Sequence, residues 1–385
     1  MLLQAGASAS DRLVDEVGRG MAVHDATNGN VVWAKETLKY SGPCILHNDL
    51  IITNTNAYSE SAGAFFIRTG EQKMVKNPLT NRYEPWKMTR AYGCNSIIAS
   101  ENLLTFRSGA AGYYDLTNDS GTGNFGGFKS GCTSNLVVAN GVLNAPDYTR
   151  TCSCSYQNQT SLALVHIPDV ELWSVYPDVN SKLDMRTVDV LNINLGAPGD
   201  RRASDGSLWI ELPNESGEPV SMSVQFNPEA KFYRHHSSRY SDAELPWLIS
   251  SGVEGVRKMT VSLNAPIALE PKGSSSDDEK VSATESQDVK QARAPMPARL
   301  YDVELLFTIA RSVDGDSKIE ESQSFEVSID GVSQTQEVVI GANDSGVSSV
   351  QRVAFPGVSI GDDFVVSIST KSGTPTLCGM RLRRL

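Results

Sequence analysis

Residues 21–33, MAVHDATNGNVVW, decide how the rest of the chain reads: a short apolar strand from Met21 runs into Asp25-Ala-Thr-Asn-Gly29, and a second apolar strand leaves it and ends on Trp33. Asn28-Gly29 is a dipeptide favoured by tight hairpin turns, because both residues tolerate positive φ. The segment is therefore a β-hairpin with a tryptophan at its exit. A weaker copy follows at residues 162–173, LALVHIPDVELW, with Pro168-Asp169 at the turn and Trp173 at the exit.

Between these two hairpins a second element recurs, in CILHNDLIIT from Cys44, CNSIIASENLLTF from Cys94 and CTSNLVVANGVLN from Cys132. Each copy enters on a cysteine, runs through an apolar strand, turns on a polar stretch containing Asn, and leaves on a second apolar strand. The cysteines are 50 and then 38 residues apart, a spacing that suits one four-stranded propeller blade with variable loops. Phe65-Phe66-Ile67-Arg68 and Tyr113-Tyr114-Asp115-Leu116 supply following strands. Residues 21–178 are thus expected to form roughly three to four blades of a partial β-propeller, preceded by an N-terminal extension over 1–20.

The pattern of strand, Asp-Ala-x-x-Gly, strand and Trp resembles the repeat of quinoprotein-type propellers. That family contains pyrroloquinoline quinone dehydrogenases and non-enzymatic assembly propellers. The run from Gly93 to Trp173, with GYYDL, NFGGFKSGC and CSCSYQNQTSLAL, resembles the terminal blades of large planctomycete propeller proteins. The resemblance implies inter-blade packing for Trp33 and Trp173. Quinone dehydrogenases of this kind close about eight blades around the cofactor and carry an adjacent-cysteine pair. This chain has too few blades and lacks that pair, so by itself it is not expected to bind pyrroloquinoline quinone, and no cofactor is assigned.

At Ile193 to Pro213, INLGAPGDRRASDGSLWIELP, the texture turns rich in Gly, Pro and Asp, which marks a boundary. Residues 179–206 are read as a linker and 207–385 as a second module. There, period-two alternation recurs in VSMSVQF from Val220, KMTVSL from Lys258, YDVELLF from Tyr301, FEVSIDG from Phe325 and FVVSIS from Phe364, the pattern of strands with one buried face. Roughly ten such strands without a long helix predict a jelly-roll-type β-sandwich. Its last part, from Tyr301 to SGTPTLCGMRL, resembles malectin-like, galactose-binding-like sandwiches. Residues 270–297, rich in Ser, Asp, Glu and Lys and without an aromatic residue, read as a disordered insertion that cannot bury enough surface to offset the entropy of ordering. The fold class is all-β.

Composition narrows function. The 385 residues carry a net charge of −11, with 40% hydrophobic and 21% charged residues, as in globular proteins. The short group Arg381, Arg383 and Arg384 is the densest basic feature, which excludes the concentrated cationic face that nucleic acid requires. No apolar run approaches the ~20 residues of a membrane-spanning helix. The N-terminus turns polar by Ser8 and lacks the apolar core of a secretory signal. The expected setting is extracytoplasmic, periplasmic or cell-surface, as part of a longer protein.

Several motifs lose their chemistry in context. Gly121-Thr-Gly-Asn-Phe-Gly126 matches a dinucleotide fingerprint but is followed by Gly127-Phe-Lys-Ser-Gly131, no helix start. Gly357-Val-Ser-Ile-Gly361 matches a nucleophile elbow, but Pro356 precedes it and another strand follows, so an inter-strand turn is expected. The five histidines, at 24, 47, 166, 235 and 236, show no metal spacing. Asp302 and Glu304 share one strand face and read as solvated.

Cys152-Ser-Cys154 puts two thiols on one side of an extended segment. With Cys94 or Cys132 they suit a soft metal, or separate disulfides, or they are buried small hydrophobes. Trp209 and Trp247 read as sandwich core, although an aromatic face also stacks on sugar. The expected ligand-binding residues, chosen as polar or aromatic groups near predicted sandwich loops, are Arg201, Arg202, Tyr233, His235 and Trp247. No catalytic residue is assigned. The expected function is a non-catalytic binding and scaffold fragment whose sandwich recognises carbohydrate or a cell-surface protein and whose propeller edge meets missing N-terminal blades. The alternative is the tail of a quinoprotein-like oxidoreductase.

Overall fold

The structure is a computed structural model that describes residues 1–5, 20–40, 43–55, 62–90, 93, 96–119, 121–125, 128, 135–146, 161–165, 173–175, 183–213, 220–240, 243–265, 294–309, 322–341 and 350–385. It is an all-β chain, as the alternation and turn signals predict, and among the described residues the α-helix Pro246–Ile249 is a single turn. No helix among them is long and apolar enough to cross a membrane. The chain divides into two units, residues Met1–Asp178 with Pro198–Ile210, and residues Val179–Ala197 with Glu211–Leu385.

In the first unit the three cysteine-led segments all fold as hairpins, pairing Ile45–His47 with Leu50–Ile52, Ile98–Ala99 with Leu103–Ser108, and Val137–Ala139 with Val142–Ala145. Asn48 and Asn140 take the left-handed backbone at φ 54° and 50° in two of the turns, which is why Asn recurs there. Each hairpin opens an antiparallel sheet: Ala62–Phe66 and Lys87–Met88 extend the first, and Ala110–Asp115, Thr122–Asn124 and Ser174–Val175 extend the second. The strand Leu162–Val165 extends the third.

The first two of these sheets have two buried faces, whereas the third exposes Val137 and Val165 on one of its faces. Ile51 and Ile52 are adjacent and both 0% exposed, but Ile51 joins a core with Met21 and Val23, whereas Ile52 joins another with Trp86, Leu104, Phe106 and Tyr114. Successive side chains of a strand point to opposite faces. Ala111, with Leu136 and Leu143, begins a third core. The sheets are thus layered: the two middle ones, opened by Ile45–His47 and by Ile98–Ala99, each share one core with the sheet before and another with the sheet after.

Trp33 closes the first such layer. Its Nε1 donates to the carbonyl of Ile67 at 2.9 Å, and its ring lies against Gly70, where a Cβ would come within 2.7 Å of Cδ2. The tryptophan at the hairpin exit therefore packs on the next hairpin turn. Within the stretch that begins at Gly121, Thr122–Asn124 is a strand.

The second unit is a two-sheet sandwich. One sheet runs Val190–Leu195, Thr376–Arg384, Ser251–Glu254 and Lys231–Arg234, with Arg299–Thr308 pairing both Thr376–Arg384 and Gln351–Ile360. The other runs Ser223–Asn227, Lys258–Ser262, Asp363–Ser372, Ser322–Ile329 and Gln336–Gly341. Inward residues alternate as the period-two pattern requires, and Phe307 and Phe325 meet across the core with ring centroids 4.9 Å apart.

Three expectations need correction. Val190–Leu195 lies in the predicted linker but is a strand paired to the last strand, Asn192 opposite Arg381. Gly357–Gly361 is no inter-strand turn: Gly357, at φ 65°, forms a bulge inside the strand Gln351–Ile360, and its N–H donates to Asp302 Oδ1 at 3.2 Å. Asp302 and Glu304 are not simply solvated, because Arg383 and Arg381 face them across the strand pair at 2.6 and 3.6 Å. With Arg384 paired to Asp189, each cation of the C-terminal basic group has a carboxylate. The predicted insertion falls largely on residues 266–293, outside the described residues.

Candidate functional site

In the first unit a cleft of about 230 Å³ opens beside the hairpin of Met74–Lys76 and Tyr83–Pro85. That hairpin turns on Asn77, whose Oδ1 accepts the N–H groups of Leu79 and Thr80 at 2.8 and 3.1 Å. Asn81, at φ 54°, closes the turn. Leu79, 1% exposed, anchors the turn, and the returning strand delivers Trp86.

Trp86 is the floor of the cleft. It is 1% exposed, its backbone N–H donates to Lys73 O at 2.8 Å, and Tyr114 meets it edge-on with centroids 5.6 Å apart. The indole Nε1 donates to Asp119 Oδ1 at 2.9 Å, the Tyr114 hydroxyl donates to the same oxygen at 3.0 Å, and Nε1 lies 3.1 Å from the Tyr114 hydroxyl. Lys73 sits over the Trp86 ring, 5.2 Å from its centroid, with Nζ 3.6 Å from Asp119 Oδ2. Aromatic, phenol, carboxylate and ammonium groups thus converge at one point. Glu84, Lys76 and Arg202 complete the wall. Glu84 Oε1 accepts from Asn77 Nδ2 at 3.0 Å, so the carboxylate is steered by the same Asn that builds the turn.

The predicted ligand residues separate into two places. Arg201 and Arg202 fall within the first unit, on a short strand paired to Leu208–Leu212 at the end of the eight-stranded sheet. Arg201 stacks its guanidinium over Trp173, 5.7 Å from the centroid, and Arg202 lines the cleft. Tyr233, His235 and Trp247 lie in the sandwich. Tyr233 donates its hydroxyl to Ile249 O at 2.9 Å, and burial pushes its pKa well above the usual tyrosine range. The His235 ring is 5.6 Å from Tyr233 and 6.3 Å from Tyr240. Desolvation, and then the Arg239 charge, hold His235 below the usual histidine value. Trp247 is 7% exposed and part of the core, as is Trp209.

Cys94, Cys132, Cys152 and Cys154 fall outside the described residues. Cys44 and Cys378 are free thiols, and burial pushes the Cys44 thiol up to about 11. Among the described residues no group of three His, Cys, Asp or Glu side chains is placed to hold a metal ion.

Sequence reasoning missed Trp86, Asp119, Lys73 and Glu84. One signal was present. Asp115-Leu-Thr-Asn-Asp119 repeats Asp25-Ala-Thr-Asn-Gly29 with its final glycine exchanged for aspartate. Both turns fold alike: Asp Oδ1 accepts the Thr N–H at 2.8 Å in each, and the Thr hydroxyl at 2.7 and 2.6 Å.

No protein-family profile matches the chain, and no curated protein matches it. Solved structures do. A Bacteroides uniformis β-glucuronidase is 16% identical, with a TM-score of 0.33, over 66% of this chain and 23% of that one. An exo-β-1,3-galactanase from Phanerochaete chrysosporium, solved with galactose, is 11% identical with a TM-score of 0.18, over 94% of this chain and 89% of that one. The chain spans about a quarter of the length of the glucuronidases, 23%. The expectation of a non-catalytic scaffold fragment, with its quinoprotein-tail alternative, is corrected at this point: the matched structures are glycoside hydrolases, and that expectation is withdrawn.

Proposed function

We propose that the chain is part of a carbohydrate-active enzyme and takes a single sugar ring into the cleft of its first unit. The observation that carries the reading is the cleft wall, where the carboxylates of Glu84 and Asp119 stand with the cations of Lys76 and Arg202 around a floor made by Trp86. Sugar hydroxyls both donate and accept, so a small opening lined by groups of both kinds suits them. At about 230 Å³ the space lies below the roughly 300 Å³ at which drug-sized pockets begin, which favours one ring over an oligosaccharide.

Two finer readings belong with this proposal. The first unit is taken as blades of a quinoprotein-type propeller, supported by the layered sheets with two buried faces and by Trp33 packing on the following turn. The sandwich is taken as malectin-like, supported by its two facing antiparallel sheets. An extracytoplasmic setting, where carbohydrate polymers are met, goes with both.

The test is saturation-transfer NMR and calorimetry with neutral and acidic monosaccharides on the full chain, alongside hydrolysis of the matching aryl glycosides. Selective binding that an Arg202→Ala change weakens supports the reading. Silence across the whole panel refutes it.

A further inference from the structure

We propose that Asp119 selects the ligand of the cleft by accepting a hydrogen bond from a sugar hydroxyl on its carboxylate. The inference rests on the saccharide reading above and assigns the residue that makes it specific.

The argument comes from the protein's own repetition. Four five-residue turns in the first unit close in the same way, with the N–H of the fifth residue donating to the carbonyl of the first: Gly29 to Asp25 at 2.8 Å, Gly70 to Phe66 at 2.8 Å, Asn81 to Asn77 at 2.9 Å and Asp119 to Asp115 at 3.1 Å. The fifth residue is left-handed in all four, with φ of 77°, 70°, 54° and 49°. Glycine takes that conformation freely and Asn and Asp tolerate it. Asp119 is the member of the set with a carboxyl side chain, and it lines the cleft.

Its carboxylate is not needed to build the turn. Asp115 and Thr117 make the same internal bonds as Asp25 and Thr27, whose turn ends on a glycine. The extra group is turned onto Trp86 and Tyr114 instead, while at the corresponding place Trp33 bonds a main-chain carbonyl. A carboxylate offers about four lone-pair sites. Trp86 and Tyr114 address Oδ1, and Lys73 approaches Oδ2 at 3.6 Å. With the side chain 29% exposed, Oδ2 retains a site for a donor entering the cleft, and the donors behind it hold its direction.

Two variants test this against a purely structural clamp on Trp86. D119G restores the residue that two sibling turns use, and D119N keeps an acceptor oxygen on a residue type that Asn81 already shows to fit. With the sugar that binds the wild type best, affinity is expected to fall at least about tenfold in D119G and about fivefold in D119N, with the thermal midpoint of D119N unchanged. Wild-type binding retained within about twofold in D119N, or lost only in step with its unfolding, overturns the inference while leaving the saccharide reading intact. A wild type that binds no sugar overturns both.

Discussion

Replacing Gly70 by alanine tests whether the tryptophan at a hairpin exit is held by the turn of the next layer. Gly70 has φ 70°, and an added Cβ would stand 2.7 Å from Trp33 Cδ2 and 3.0 Å from Cε3. A left-handed alanine costs roughly 1–2 kcal/mol. Overpacking against a partly buried ring adds about 1–3 kcal/mol, and displacing the ring from the Ile67 carbonyl loses a hydrogen bond of about 1 kcal/mol. The total is about 3–6 kcal/mol. Gly29 is the internal control, because it occupies the same place in its own turn at φ 77° and a Cβ there meets nothing within 4 Å. Gly29→Ala should therefore cost only the backbone term, roughly 1–2 kcal/mol. Urea unfolding followed by tryptophan fluorescence measures both. Equal destabilisation by the two substitutions would show that Trp33 packing contributes nothing, and the layered account of the first unit would fall.

Ile51→Ala and Ile52→Ala should each cost about 2–5 kcal/mol, and the double variant should be additive within about 0.5 kcal/mol despite adjacency, because the two side chains enter different cores; strong coupling in a double-mutant cycle would contradict this. Asp302 is held below its usual value by the Arg383 hydrogen bond and then the Gly357 N–H, and Glu244 by Arg352. Carboxyl groups depressed in the fold contribute stability that is complete above their unfolded values of 3.8 and 4.5 and is lost as pH falls through the folded ones. The thermal midpoint should thus drop below about pH 4.5, less so in Asp302→Asn, and a flat profile for the wild type would refute the pairing. With its thiol pushed up to about 11, Cys44 should resist iodoacetamide in the native protein at neutral pH and react once denatured, as read by peptide mass mapping; rapid native labelling would place it elsewhere.

The hairpins were legible because their signals are local: Asn48 and Asn140 sit where the backbone turns left-handed, and period-two alternation in Ser322–Ile329 reports one buried face. The strand Val190–Leu195 was not legible, since its polarity is satisfied from far away. Asn192 Oδ1 accepts from Arg381, and Asn194 bonds Trp247 O and Ser251 Oγ. Buried asparagines with distant partners look like loop residues in a one-dimensional reading. The cleft draws on residues 75–87, 114–119 and 202, which share no local pattern, yet the aspartate that ends the Asp115 turn was visible by aligning the turns. The residue types of Tyr233, His235 and Trp247 suit ligand binding, but residue type does not report that Trp247 is buried or that the Tyr233 hydroxyl is spent on Ile249.

The chain visits the second unit over Val179–Ala197, returns to the first for Pro198–Ile210, and leaves again from Glu211. A modular protein joined by one linker can be cut once and shuffled as two pieces. Here a single cut after Asp178 deprives the first unit of Arg202 and its cleft wall, and a cut after Ile210 deprives the sandwich of the strand beside its C-terminal one. The two units are therefore interleaved along the chain: an exchange that trades one for another must cross it at three points, and domain-wise expression that ignores this would yield halves that each lack a piece.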